Sequence, residues 1–176
     1  MTPAQLKALV RTIPDFPKRG IQFRDITTLI GHGEGFAASV EWLSLRIGDA
    51  QAVAGMEARG FIFGAAVAAR LGLPFIAIRK PGKLPCATIG VDYELEYGLD
   101  RLEMDPTSVS HGQSVAIVDD LLATGGTACA ATALLRKAGA KVSCAAFVID
   151  LPDLGGARAL GQESVMVEAL MQFEGD

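Results

Sequence analysis

Two adjacent acids followed by a glycine-rich turn are the residues whose types and spacing best suit chemistry. Asp119 and Asp120 come directly after the apolar run 115–118, and the segment ATGGT follows at 123–127. A helical pattern begins at once, so the turn brings free backbone N–H groups and threonine hydroxyls to a helix N-terminus. Glycines let an anion approach the backbone closely, and the positive helix end favours negative charge. The segment therefore predicts a phosphate site.

The two acids need a different ligand, because carboxylates repel phosphate. Their oxygens can accept hydrogen bonds from sugar hydroxyls or hold a hydrated Mg²⁺ ion. A phosphate on the turn and hydroxyls on Asp119 and Asp120 together describe a phosphorylated ribose. For a generic strand–loop–helix unit, a capped helix beside solvated acids is the alternative, but the combination with TGGT favours a functional site.

Other catalytic and phosphate-binding motifs do not occur in the sequence. The only Gly-Lys dipeptide, Gly82-Lys83, is followed by leucine, which excludes a P-loop. The glycines at 31–35 have the wrong spacing for a dinucleotide-binding turn, and there is no G-x-S-x-G elbow. The sequence has only two histidines and three widely spaced cysteines, which provide no metal-ligand set and no Ser-His-Asp triad.

Composition excludes several further classes of protein. The chain has 176 residues, of which 50% are hydrophobic and 20% charged, so it is long and apolar enough to fold around a core. Its net charge of −4 argues against nucleic-acid binding. No apolar run reaches the roughly 18 residues of a membrane span. The N-terminus lacks a secretory pattern, so we expect a cytoplasmic protein without a membrane partner.

Apolar strands that alternate with helical patterns predict an α/β fold. We expect a doubly wound, mostly parallel central sheet with flanking helices, since continuously apolar strands are typical of parallel sheets covered on both faces. The predicted strands are 52–56, 74–78, 115–118, 142–149 and 165–170, and the predicted helices are 3–10, 36–47, 61–71 and 127–138.

Three segments depart from this alternation. The proline-rich stretch 13–20 is predicted to be irregular, and Gly31, Gly33 and Gly35 are predicted to break the chain. Residues 88–104 alternate in polarity and have a turn signal near 98–100, which predicts an antiparallel ribbon projecting from the sheet.

Segment 115–127 resembles the motif that binds 5-phosphoribosyl 1-pyrophosphate (PRPP) in type I phosphoribosyltransferases. Four further blocks are similar to those of the branch of that family that acts on adenine, and all five occur in the same order across nearly the whole chain. The blocks are FPKRGIQFRDIT (16–27), MEARGFIFG (56–64), RKPGKLP (79–85), YELEYG (93–98) and VDDLLATGGT (118–127).

The resemblance implies transfer of ribose 5-phosphate from PRPP to N9 of adenine, which yields AMP and pyrophosphate in purine salvage. It implies one domain over 1–176, with a small N-terminal base-binding hood at about 1–35 and a ribbon that acts as a lid at about 84–108. It also implies a Mg²⁺ cofactor, a homodimer and a cis peptide bond between Glu57 and Ala58. The reaction needs no covalent nucleophile, which agrees with the absence of a triad.

The expected PRPP residues fall into three groups. The 5′-phosphate is assigned to Ala123, Thr124, Gly125, Gly126 and Thr127, and the ribose hydroxyls to Asp119 and Asp120. The pyrophosphate needs cations and is assigned to Arg59, Arg79, Lys80 and Lys83. Arg59 follows the first predicted strand and the other three follow the second, so all four can converge at one sheet edge.

The resemblance also implies the residues for the base and for catalysis. Phe23 is expected to stack on adenine, with main-chain groups of Gln22 and Arg24 reading its edge. Glu96 is the candidate acid or base near N7, and Arg79 and Lys83 are expected to stabilise the leaving pyrophosphate. Two alternatives stay open: another purine base (xanthine, hypoxanthine or guanine), or a regulator that senses PRPP without turnover.

Overall fold

The structure is a computed structural model that describes residues 1–95 and 98–175, without the Leu95 side chain. The elements are α1 (Pro3–Ala8), β1 (Arg11–Pro14), β2 (Gln22–Asp25), α2 (Thr27–Ile30), α3 (Gly33–Ser44), β3 (Ala52–Met56), α4 (Arg59–Leu71), β4 (Phe75–Ile78), β5 (Ile89–Leu95), β6 (Gly98–Met104), β7 (Ser114–Leu122), α5 (Gly126–Lys137), β8 (Lys141–Asp150), α6 (Gly156–Gln162) and β9 (Met166–Gln172). Short 3₁₀ turns lie at Pro106–Ser108 and Pro152–Leu154.

A five-stranded parallel sheet forms the centre of the fold. Its strand order is β4-β3-β7-β8-β9, and every pair of neighbours runs parallel. The chain leaves β3 towards β4 on one side and continues from β7 to β9 on the other, so the winding reverses between β3 and β7. The predicted doubly wound α/β fold is confirmed. Ligands of such sheets bind beyond the carboxyl ends of the strands at this reversal.

Helices cover both faces of the sheet because successive side chains of a strand point to opposite sides. Val53 and Ala116 pack with residues of α3 and α4, whereas Ala54 and Ile117 pack with residues of α5. All four side chains are fully buried. Within the described ranges, none of these helices has the length and apolarity needed to cross a membrane.

Strand β7 is longer than the apolar run predicted. It extends through Leu122 rather than ending at Val118, so Asp119 and Asp120 are strand residues and do not follow the strand. The extension has a tertiary cause, since the register with β8 continues to the pair Leu122–Asp150. Hydrogen bonds to a neighbouring strand hold these polar residues extended, which no local pattern reveals.

The N-terminal region contains more regular structure than predicted. Ile13 and Pro14 lie in β1, which pairs with β2 as an antiparallel ribbon, so the expectation of an irregular 13–20 is wrong at its start. Gly33 and Gly35 lie inside α3 and do not break the chain. The Nδ1 atom of His32 accepts from the Gly35 N–H at 3.0 Å and so caps this glycine-rich helix start. Helix α6 was not predicted.

The predicted antiparallel ribbon is present as β5 and β6. Its turn does not lie at 98–100 as expected, because Gly98 and Asp100 belong to β6 and pair with Leu95 and Tyr93. A bridge between Arg79 and the β6 backbone attaches the ribbon beside β4. Apolar ribbon residues also pack into the core cluster that contains α5. The ribbon is therefore joined to the carboxyl end of the sheet.

Candidate active site

A cavity of about 240 Å³ opens at the carboxyl ends of β3 and β7, between which the winding of the sheet reverses. One wall consists of residues that end β3 or begin α4, and the other consists of the end of β7, the following turn and the start of α5. The lining residues are Met56, Glu57, Ala58, Arg59, Gly60, Asp119, Asp120, Leu121, Leu122, Ala123, Thr124, Gly125, Gly126, Thr127 and Ala128. The structure thus brings together the predicted phosphate turn, both acids and Arg59.

The phosphate turn, residues 123–127, enters α5 without a side-chain cap. Gly125 is the N-cap with φ of 88°, a left-handed conformation that glycine adopts without strain. The first N–H groups of a helix have no partner within it. Because no side chain of the described residues caps them, the amides at the start of α5 are available to a ligand, and the helix end adds positive potential.

The turn is supported by the start of α6 through backbone packing. A Cβ atom built on Gly156 would lie 2.3 Å from the Ala123 carbonyl oxygen, and one on Gly125 would lie 3.0 Å from the Gly156 Cα. Two glycines therefore allow two backbones to touch. Gly156 is a positioning residue that sequence reasoning missed, although the pair Gly155-Gly156 between two predicted elements was an available signal.

The two acids differ in environment. Oδ1 of Asp119 accepts the Asp120 N–H at 2.8 Å. Burial, followed by the charge of Asp120, raises the pKa of Asp119 well above its ordinary value of 3.8. A Cβ atom on Gly60 would lie 2.3 Å from the Asp119 Oδ1, so any other residue at position 60 would force this carboxyl to shift. Asp120 is buried and forms an ion pair instead.

Arg59 connects the acids to the N-terminal hood. Its Nε lies 2.8 Å from the Asp120 Oδ2, and its guanidinium carbon lies 5.8 Å from the centre of the Phe23 ring. The predicted pyrophosphate ligand is therefore paired with a predicted ribose ligand and close to the predicted base ligand. This geometry brings parts of the three predicted subsites next to one another.

Arg79 and Lys83 do not line the cavity, but they lie next to a residue that does. Arg79 Nε is 2.7 Å from the Glu57 Oε2, and Arg79 Nη1 donates to the Lys83 carbonyl at 2.9 Å. Burial raises the pKa of Glu57, but hydrogen bonds from Arg79 and the Lys80 backbone, with the charges of Arg79 and Lys83, produce a net lowering. The Glu57–Ala58 peptide bond is cis, as the resemblance implied.

Lys80 faces the ribbon rather than the cavity. Its Nζ donates to the Tyr93 hydroxyl at 2.9 Å and forms an ion pair with the Asp100 carboxylate. Partial burial lowers the pKa of Lys80, but the hydrogen bonds to Asp100 and Tyr93 outweigh it and raise the pKa overall. Neither partner was singled out from the sequence, because both stand in an alternating ribbon pattern that is typical of solvated side chains.

The predicted base segment lies on β2. Phe23 is half-buried and makes an edge-to-face contact with Phe16, with 5.1 Å between ring centres. The Arg24 side chain is engaged elsewhere, since it donates to the Thr12 hydroxyl at 2.7 Å and to the Glu174 carbonyl at 3.0 Å. Gln22 is the first residue of the strand. Glu96, the candidate acid or base, lies outside the described residues.

Asp25 ends β2 and fixes the base segment to α2. Its Oδ1 accepts from the Thr27 hydroxyl at 2.6 Å and from the Thr27 N–H at 3.0 Å, and its Oδ2 accepts from Arg11 Nε at 3.1 Å. The Thr27 hydroxyl, followed by Arg11, lowers the pKa of Asp25 from 3.8 to about 2. The folded chain therefore favours the ionised carboxylate.

We predict that Asp25 contributes a pH-dependent part of the stability. Because its pKa is lower in the folded state, the contribution is present above 3.8 and is lost as the pH falls towards about 2. Thermal unfolding of the wild-type chain should therefore shift to lower temperature across this window more steeply than that of Asp25→Asn. Parallel curves for the two proteins between about pH 2 and 4 contradict this role.

The fold and the cavity together define a class of protein. Residues 32–160 match the phosphoribosyl transferase domain. The chain belongs to the adenine phosphoribosyltransferase family, and the similarity extends over nearly its full length. It is 65% identical over 177 residues to the adenine phosphoribosyltransferase of Erythrobacter litoralis, with 99% of each chain covered.

Solved structures of the same family have the same architecture. The adenine phosphoribosyltransferase of Thermoanaerobacter pseudethanolicus matches with a TM-score of 0.93 and 44% identity, covering 98% of this chain and 100% of that one. The enzyme of Saccharomyces cerevisiae, complexed with an imino-altritol bisphosphate and adenine, matches with a TM-score of 0.90 and 33% identity, covering 96% and 98%.

Proposed function

We propose that this chain transfers the 5-phosphoribosyl group of PRPP to N9 of adenine and releases AMP and pyrophosphate. The observation that carries the proposal is the uncapped start of α5 next to two acids at the reversal of the sheet. The relatives with this fold are adenine phosphoribosyltransferases, and one of their structures contains adenine. A phosphate site beside hydroxyl acceptors suits the sugar phosphate that both PRPP and AMP contain.

The 5′-phosphate is assigned to the turn 123–127. Its oxygens accept from the free amides at the start of α5 and from the hydroxyls of Thr124 and Thr127. Each charge-assisted hydrogen bond of this kind contributes about 1.5–3 kcal/mol. Asp119 and Asp120 accept from the ribose hydroxyls, so the sugar is held between the turn and the end of β3.

Arg59, Arg79, Lys80 and Lys83 are assigned to the pyrophosphate. In this transfer the bond from C1 to pyrophosphate loosens before the base attacks, so negative charge grows on the leaving group. Arg79 and Lys83 stabilise that charge, and the ion pairs of Arg79 with Glu57 and of Arg59 with Asp120 orient the two guanidinium groups. Positioning of the two substrates supplies much of the remaining acceleration.

The base is assigned to the hood. Phe23 stacks on adenine, and main-chain groups of Gln22 and Arg24 read its edge. The Arg24 side chain is held by Thr12 and Glu174, which leaves its main-chain groups for the base. Ribbon closure over bound PRPP would exclude water, since hydrolysis competes with transfer.

We predict that Glu96→Leu lowers kcat by about 10²-fold and leaves the KM for PRPP nearly unchanged, because the carboxyl is assigned to proton transfer at the base. Steady-state kinetics with both substrates would measure the effects on kcat and on KM separately. Glu94→Leu is the matched control, since Glu94 is an exposed acid of β5. A variant in which only the PRPP affinity changes would make Glu96 a positioning residue.

Mg²⁺ fits the donor chemistry of this site as an ion that enters with PRPP. Among residues 1–95 and 98–175, no group of three or more His, Cys, Asp or Glu could hold a metal ion alone. The carboxylates of Asp119 and Asp120 in the cavity wall are hard oxygen donors, which suit an ion whose other ligands are substrate oxygens and water. When bound, the ion neutralises pyrophosphate charge.

The assay that tests the function also separates the alternatives. Purified protein is mixed with Mg-PRPP and either adenine, hypoxanthine, guanine or xanthine, and the products are separated by chromatography. We expect AMP to form from adenine, either as the sole product or faster than the product of any other base. If another base reacted faster, that base would be the substrate. PRPP binding without any product would favour a regulator.

The assembly and location of the protein remain predictions. We propose a homodimer of a single domain that spans 1–176 and works in the cytoplasm. Sedimentation of the purified chain tests the dimer, and localisation of a tagged chain in cells tests the compartment.

A further inference from the structure

We propose that Asp100 sets the affinity for the pyrophosphate group by competing for Lys80, an inference that rests on the proposed function of Lys80. The carboxylate of Asp100 and the pyrophosphate oxygens are both anions that bind the same ammonium group. Asp100 therefore weakens the binding of pyrophosphate and of PRPP. In the reaction, it acts through Lys80 and does not itself contact the substrate.

The geometry shows how fully Lys80 is engaged. Its Nζ contacts both the Asp100 carboxylate and the Tyr93 hydroxyl, the latter at 2.9 Å. Tyr93 also lies 3.1 Å from the Asp100 Oδ2, so the three groups form a closed triangle. An ammonium group has three N–H donors, and two of them are used here. One donor remains for a phosphate oxygen.

Charge reinforces this competition. The pair of Lys80 with Asp100 is neutral, so it attracts an anion less than a free ammonium group does. The side chains are 37% and 27% exposed, which leaves the pair only partly screened by solvent. A pyrophosphate that recruits Lys80 must either displace Asp100 or bind next to its negative charge.

The triangle also reaches the phosphate turn. The Thr127 hydroxyl lies 3.5 Å from the Tyr93 hydroxyl, so the group assigned to the 5′-phosphate is adjacent to the group that holds Lys80. The competition for Lys80 therefore takes place next to the phosphate turn. Asp100 influences that site through Lys80, although Asp100 itself belongs to the ribbon.

A double-mutant cycle tests whether Asp100 acts through Lys80. Titration calorimetry with pyrophosphate and Mg²⁺ is run on the wild-type chain, Asp100→Asn, Lys80→Met and the double variant. We expect Asp100→Asn to tighten pyrophosphate binding about three- to tenfold, which corresponds to the strength of a half-buried ion pair that no longer competes. In the Lys80→Met background the same substitution should tighten binding much less, because no ammonium group is then released.

Asp92→Asn is the matched control, because Asp92 is a ribbon acid that pairs with Arg101 rather than Lys80. It should leave the affinity unchanged. Equal tightening by Asp92→Asn, or tightening by Asp100→Asn that is equally large without Lys80, would overturn the proposal in favour of a general charge effect. Unchanged affinity in a folded Asp100→Asn also overturns it, and Asp100→Ser repeats the test if the first variant does not fold. A wild-type chain that binds neither pyrophosphate nor PRPP refutes the proposed function instead.

Discussion

The Asp119→Asn, Asp120→Asn double variant is expected to fold and to lose at least about 10³-fold in kcat/KM for PRPP. Both carboxylates line the cavity, and in the proposed function they accept hydrogen bonds from the ribose hydroxyls and so hold the ribose in position while pyrophosphate leaves. Asparagine keeps their shape but loses the charge that accepts hydroxyl donors and favours Mg²⁺. Steady-state kinetics and thermal unfolding are the measurements.

The fold should survive this change for reasons visible in the site. Asp119 has a raised pKa, so losing its charge relieves a burial cost. Asp120 loses its ion pair with Arg59, but the Arg59 side chain is half-exposed, so water can solvate its charge. The control is Glu41→Gln with Glu163→Gln, which removes two charges from exposed ion pairs and should leave activity unchanged. Near wild-type turnover of the aspartate variant would refute the ribose assignment.

Gly156→Ala is expected to raise the KM for PRPP by about 10²-fold, because a turn displaced by an ångström no longer aims its amides at the phosphate. The added Cβ would lie 2.3 Å from the Ala123 carbonyl oxygen and 2.9 Å from the Leu122 Cδ1, so the backbone must move. The KM for adenine should change little, since the base segment lies on β2. Kinetics with each substrate varied in turn measure this difference.

Gly161→Ala is the control on the same helix, because a Cβ atom there meets nothing within 4 Å. It should leave both KM values unchanged. A melting temperature measured for each variant separates local displacement of the turn from loss of the fold. If Gly156→Ala raised both KM values equally or left both unchanged, α6 would not position the turn as argued.

Much of the candidate site was predictable because its signals are local. Apolar runs mark the strands, a strand end marks the edge where ligands bind, and TGGT marks an uncapped helix start. Each of these features depends on residues a few positions apart.

Two of the errors have a common physical cause, which is pairing between distant segments. Strand β7 continues past Val118 because β8 supplies hydrogen-bond partners. Ile13 and Pro14 become a strand because β2 lies beside them. Asp and Pro are disfavoured in strands, so local propensity argues against a strand at Asp119, Asp120 and Pro14, and pairing with another segment overrides it.

The sequence by itself determined the α/β class and the presence of a glycine-rich turn and two acids at the carboxyl edge of the sheet, because short-range pattern and turn chemistry suffice for these. Only the tertiary structure decided which groups hold the charged side chains: Asp120 for Arg59, Glu57 for Arg79 and Asp100 for Lys80. It also decided that Gly156 supports the turn. These partners come from other elements, and the energy of an ion pair or a backbone contact depends on distances that exist only once the chain has folded.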